Sequence, residues 1–199
     1  MLEAKQHFAL GRWMGGSTAH HLVRATDVPL LVTGEHPGPM RRVLVAADLS
    51  YAVKPTCEAA LRLAEVLGAQ VRVLHAIEPV PMLAEMPLVF DEEAFYRDSE
   101  EQFGRYVEPI FAGSPAETVA RRGPAAEVIA QEVREWGADL VAVGSHGKGW
   151  MDRLLLGSTT ERLLDQLPSS LLVVPVRAPP GEAGRSYRGA PVVQRSPVS

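Results

Sequence analysis

At 199 residues, with 46% hydrophobic and 22% charged residues, the chain has the makeup of a globular protein that can bury one well-formed domain. A net charge of −4 excludes the basic footprint of a nucleic-acid binder, and the single cysteine, Cys57, excludes an intrachain disulfide and favours a reducing compartment. No apolar stretch approaches the roughly 20 residues that span a bilayer, and residues 1–16 lack the basic leader and unbroken apolar core of a signal peptide, so the expectation is a cytoplasmic protein with no membrane partner.

The chain opens on a copy of its own end. Gly16-Ser17-Thr18-Ala19-His20-His21-Leu22-Val23, then Pro29-Leu30-Leu31-Val32, matches Gly157-Ser158-Thr159-Thr160-Glu161-Arg162-Leu163-Leu164, then Ser170-Leu171-Leu172-Val173, without a gap. Residues 1–40 are therefore expected to form a helix, a strand over 29–33 and a linker. From residue 41 onward short apolar runs alternate with amphipathic helices. A strand over 43–47 precedes a helix over 54–67, whose Ala60, Leu61, Ala64 and Leu67 share one face before Gly68. A second strand covers 70–77. An acidic insertion over 78–115 follows, with a helix expected over 92–111, and 118–121 gives a weaker third strand. Pro124 opens a helix that carries Val128, Ile129, Val133 and Trp136 to a stop at Gly137. Residues 139–143 form the fourth strand, 158–167 the last helix and 170–176 the fifth strand. Strands that are apolar throughout, alternating with helices, predict an α/β fold: a doubly wound, open, parallel five-stranded sheet with helices on both faces over 41–177. Residues 178–199, rich in Pro, Gly, Ser and Arg, read as a flexible tail.

The stretch from Gly144 to Thr159 carries the chemistry. Gly144 and Gly147 bracket a turn that leaves the fourth strand, and Gly157-Ser158-Thr159 begins the last helix. Glycines admit a phosphate close to the backbone, and a helix start offers unpaired N–H groups and partial positive charge. Ser158 with Glu161 also reads as a capping box, a role compatible with anion binding. Asp48 reads as either a turn residue or a ligand group. Lys148 and Arg153 lie in the loop, either to neutralise phosphate or merely to be solvated. His75 fits a hydrogen-bonded core position. The histidines show no metal-ligand spacing with Cys or carboxylates, so no protein metal site is expected. Neither a G-x-x-x-x-G-K-[ST] loop nor a G-x-S-x-G elbow is present, and no catalytic base stands out, so binding is better supported than turnover.

Arg42-Val43-Leu44-Val45-Ala46-Ala47-Asp48-Leu49-Ser50, Val73-Leu74-His75-Ala76, Gly123-Pro124-Ala125 and the G-x2-G-x9-G-[ST] run from Gly144 to Ser158 together resemble the universal stress protein family. The resemblance implies a strand order of 3-2-1-4-5 and ATP as ligand, with Mg²⁺ able to arrive alongside it. Ala46 and Asp48 would meet the ribose or adenine end and Ala76 the adenine. Gly144, His146 and Gly147 would line the phosphates, with Gly157, Ser158 and Thr159 closing around them. The family commonly has Pro where Ala46 stands and Val where Ala76 stands. It implies a nucleotide-dependent stress or regulatory protein; the rival readings are a slow ATP hydrolase or autophosphorylating enzyme, and an assembly module with a vestigial site. The fifth strand of the family often pairs with its equivalent across a dimer. Leu30-Leu31-Val32 is therefore expected beside Leu171-Leu172-Val173, within one chain or between two, unless residues 1–40 are the remnant of a lost tandem domain or follow a start site inside a longer gene. Gln6 and Glu3 replace Gly147 and Gly144 in this copy, so it should not bind nucleotide.

Overall fold

The computed structural model describes residues 18–33, 38–79, 91–146 and 156–176, and the backbone of 2–3. Its elements, in chain order, are β1 (Leu2–Glu3), α1 (Thr18–Ala25), β2 (Leu30–Thr33), β3 (Arg42–Ala46), α2 (Val53–Leu67), β4 (Gln70–Ile77), α3 (Glu92–Val107), β5 (Ala116–Arg122), α4 (Ala125–Trp136), β6 (Leu140–Gly144), α5 (Ser158–Gln166) and β7 (Ser170–Val174). Gly147, Lys148 and Arg153 lie outside the described residues, as do the expected tail and residues 80–90 of the insertion.

The five strands expected from residue 41 onward form a parallel block in the order β7-β6-β3-β4-β5, inside a seven-stranded sheet that continues through β2 to β1. That block has the expected 3-2-1-4-5 order. The whole sheet is mixed, because β2 runs antiparallel to β7 while β1 runs parallel to β2. The two-residue β1 escaped the sequence reading, being too short to show an alternation or an apolar run.

The middle strands are apolar on both faces because helices cover both. Val43, Leu44 and Val45 of β3 and Leu140, Val141 and Ala142 of β6 are fully buried, as strands at the centre of a parallel sheet must be. On one face Val43 and Val45 pack with Val53, Cys57 and Ala60 of α2 and Phe103 and Val107 of α3. On the other, Leu44 and Leu74 pack with Val128, Ile129 and Val133 of α4, Leu163 and Leu164 of α5, and Val23 of α1.

Chain-local signals set the helix ends. Asp91 caps α3 by accepting from the Ala94 N–H at 2.9 Å. The helix stops at Val107, short of the expected 111. Gly68 and Gly137 end α2 and α4 in the left-handed region, at φ 63° and 70°, where a side chain is disfavoured. At Gly137 there is a second constraint, since a Cβ would lie 3.0 Å from Arg42 Nη1. That guanidinium donates to the Trp136 carbonyl at 2.7 Å, satisfying one of the open carbonyls at the end of α4.

Candidate functional site

β3 and β6 are neighbours at the centre of the sheet, with Val43 beside Leu140 and Val45 beside Ala142. The helices that follow them leave on opposite faces: α2 joins the first core cluster and α5 the second. The two connections therefore part above the carboxyl ends of these strands, which is where open α/β sheets hold ligands.

The end of β3 is pinned from several sides. The Ala47 N–H donates to the Leu74 carbonyl at 2.9 Å, and His75 Nδ1 lies 2.8 Å from the Ala47 carbonyl. His75 is buried and stacks on Phe103, with ring centroids 5.1 Å apart. Asp48, half-buried, accepts from Ser50 Oγ at 2.6 Å, and the same Ser50 oxygen accepts from the Ala52 N–H at 3.1 Å. The carboxylate is thus fixed against the start of α2. Burial first, and then the Asp48 charge, push the Tyr51 phenol above its ordinary range. Ala46 and Ala76 are both half-buried at the rim of the second core cluster, on neighbouring strands.

The end of β6 is joined to the start of α5. The Ser145 N–H donates to the Val174 carbonyl at 2.8 Å and the Gly157 N–H to the Ser145 carbonyl at 2.9 Å. The Thr160 hydroxyl donates to the Gly144 carbonyl at 2.8 Å. Ser145 Oγ accepts from the Val176 N–H at 3.0 Å and lies 2.9 Å from His146 Nδ1. Gly157, not Ser158, is the capping residue, and no side chain caps this helix. Ser158 is the first helical residue and is exposed, so the expected capping box does not form. Glu161 supplies the first intrahelical bond, its N–H donating to the Gly157 carbonyl at 2.9 Å. The N–H groups of 158–160 precede that bond and have no intrahelical acceptor.

Among the described residues, two buried polar atoms at this end of the sheet have no hydrogen-bond partner, His146 Nε2 and Thr56 Oγ1. Thr56 bears on Gly144, where a Cβ would stand 3.3 Å from its hydroxyl oxygen and 3.1 Å from both the Ala52 Cβ and the His146 carbonyl. The approach of α2 thus crowds this position on its own account, whereas the sequence reading assigned the need for glycine to a phosphate. Among the described residues no group of three or more His, Cys, Asp and Glu could hold a metal ion.

The structure brings Asp48, Gly144, His146, Gly157, Ser158 and Thr159 to the carboxyl ends of two adjoining strands, with Ala46 and Ala76 on the β3–β4 side. Sequence reasoning missed Ser50, Thr56, Ser145 and Thr160, which hold the site rather than line it. Ser145 and Thr160 sat within or beside the glycine motif. Thr56 carried no signal, because a threonine on the inner side of a helix looks like any small core residue.

A family model described as the Universal stress protein family matches residues 39–175. The chain is similar to a universal stress protein of Thermus aquaticus encoded in the 3′ region of a QAH/OAS sulfhydrylase, 33% identical over 136 residues, which make up 67% of this chain and 98% of that protein. It is 28% identical over 142 residues to universal stress protein A homolog 2 of Coxiella burnetii, 69% of this chain and 96% of the other. Among solved structures, UspA from Lactobacillus plantarum shares the fold with a TM-score of 0.52 at 22% identity, covering 70% of this chain and 99% of its own. A universal stress protein from Pseudomonas aeruginosa shares it with a TM-score of 0.59 at 24% identity, covering 86% of this chain but 62% of its own.

Proposed function

This chain belongs to the universal stress protein family, and from that premise we propose that it is an ATP-binding member whose nucleotide occupancy changes its conformation or its choice of partner in a stress or regulatory response. One observation supports this above the rest. The start of α5 is bolted to the end of β6 through the bonds of Gly157 to Ser145 and of Thr160 to Gly144, which leaves the N–H groups of Ser158 and Thr159 as fixed donors beside the glycine turn. Fixed donors at a helix start suit phosphate oxygens, and they belong to a complete G-x2-G-x9-G-[ST] run. In this reading Asp48, held by Ser50, takes the ribose or adenine end, while Ala46 and Ala76 border the base. His146, Gly147, Gly157, Ser158 and Thr159 surround the phosphates, and Lys148 and Arg153 add charge from the loop. Any Mg²⁺ comes with the nucleotide. The fully buried Cys57 suits the reducing cytoplasm.

Mass spectrometry of small molecules released from the purified, denatured protein should find an adenine nucleotide, and calorimetric titration should give one ATP site per chain. Gly147→Val should weaken that binding by more than tenfold, about 1.4 kcal/mol. Absence of heat with ATP at high protein concentration would overturn the reading and leave a vestigial site. Binding is assigned without turnover, so multiple-turnover release of ADP would move the protein to the hydrolase class instead.

A further inference from the structure

The N-terminal elements repeat the end of the sheet about a local two-fold axis. Leu31 stands opposite Leu172, with Leu30 opposite Val173 and Val32 opposite Leu171. By the ungapped repeat, Leu30, Leu31 and Val32 correspond to Leu171, Leu172 and Val173. Exchange of the two copies therefore maps the outer pairs onto each other and the Leu31–Leu172 pair onto itself. The next strands obey the same axis: Leu2 faces Val32 and Glu3 faces Thr33, as Val143 faces Val173 and Gly144 faces Val174. So do the helices. Arg24 Nη2 lies 2.7 Å from Glu161 Oε1, and His20 Nε2 lies 3.7 Å from Asp165 Oδ1. His20 corresponds to Glu161 and Arg24 to Asp165, so each contact is the symmetry mate of the other.

The two copies differ in the chemistry their helices offer each other, and Arg24 carries a charge opposite to that of its counterpart Asp165. α1 presents His20 and Arg24 where α5 presents Glu161 and Asp165. We infer that residues 18–33 are a built-in, charge-keyed counterpart of α5–β7: the chain covers this sheet edge with its own segment and does not pair with a second copy of itself through it. Two copies of α5–β7 joined about the same axis would set Glu161 of each against Asp165 of the other. Exposed ion pairs add little to stability, but opposed like charges discriminate strongly between partners. The edge itself demands a cover. Leu171, Leu172 and Val173 are buried here, and a bare apolar edge strand is a template for further chains.

The connection favours cover from within. Eight residues separate Thr33 from Arg42, a length that reaches up to about 28 Å. Thr33 lies at the end of the sheet where β7, β6 and β3 begin, three strand spacings from β3 or about 14 Å.

Cysteine pairs in the 199-residue chain test the inference, with Cys57 fully buried and out of reach. Directly opposed antiparallel residues lie within disulfide range. Leu31→Cys with Leu172→Cys should oxidise to a cross-link within one chain on non-reducing gels. Leu172→Cys alone should give no linked dimer, although a self-paired edge would place two copies of that residue on the axis. A linked dimer from either variant would overturn the inference. Adding Arg24→Glu to the double-cysteine chain should reduce the intrachain cross-link several-fold, and Glu161→Arg on top should restore it. An unchanged yield would refute the charge key. Should Leu172→Cys lower the melting temperature enough to unfold the protein, Leu30→Cys with Val173→Cys reports the same contact.

Discussion

Gly144 carries two demands at once. It ends β6 within the candidate site, and the start of α2 presses on it through Ala52 and Thr56. Gly144→Ala should therefore destabilise the fold by about 1–3 kcal/mol, the usual cost of an extra methyl in a packed site, and a thermal melt without nucleotide will reveal it. A melting temperature equal to the parent's would show that α2 yields to the added methyl. Cys57 offers a second test by titration. Burial, and then the neighbouring Glu58 charge, push its thiol up to about 12 from an ordinary 9.0. The unfolded chain releases this proton near pH 9 and the folded one keeps it until about 12, so the thiol's contribution is intact below pH 9 and is lost as pH rises toward 12. Its slope is at most about 1.4 kcal/mol per pH unit. Cys57→Ala should melt with a shallower fall between pH 9 and 11 than the parent, and parallel curves would contradict the assignment.

On β4, β5 and α4 one polar network stands apart from the candidate site. Glu132 is 2% exposed and meets Arg72 Nη1 at 2.6 Å and Arg121 Nε at 3.4 Å. Arg72 also reaches Glu117 at 2.6 Å and lies 4.5 Å from the centre of the Trp136 ring. The two partners of Arg72 are unequal. Glu117, with a side chain 58% exposed, belongs to a surface pair worth about 0–1 kcal/mol. Arg72→Ala leaves Glu132 buried with the longer contact alone and should cost about 3–5 kcal/mol, the range for one half of a buried pair. Chemical denaturation of Arg72→Ala and Glu117→Ala should show this ordering; equal losses would mean that Glu132 finds water in the variant. The same strands show how unevenly the elements were legible. β4 runs over the predicted 70–77 because apolar and β-branched residues fill it. β5 extends past the predicted 118–121 at both ends, because its exposed Glu117, Arg121 and Arg122 mask a strand that ladder bonds to β4 define.

Over the whole molecule, the parallel block was readable because each strand–helix alternation leaves a local imprint of apolar runs, turns and glycine stops. The repeat disclosed the N-terminal helix and strand for the same reason: it is a comparison of sequence with sequence. What sequence did not disclose were bonds between distant residues. Arg42 closing the end of α4, Asp139 accepting from the N–H groups of Arg41 and Arg42 at 2.8 and 3.0 Å, and Thr160 holding Gly144 join positions with no periodic relation. In the candidate site the glycines and Asp48 were legible as residue types, and the scaffold that fixes them was not. The two ends of the parallel block are closed differently. β5 guards its edge with charge, whereas β7 is covered by β2, the neighbour that the repeat led one to expect.

That neighbour has a further meaning in the order of synthesis. β7 is the last described strand to leave the ribosome, and the segment that covers it leaves well before it. Leu30 precedes Leu171 by roughly 140 residues, some 7–28 s of translation at about 5–20 residues per second. The sheet edge most prone to recruit another nascent chain thus emerges into a cell where its partner is already waiting on the same polypeptide, so the interval in which it could be captured by a neighbour on the polysome is cut short.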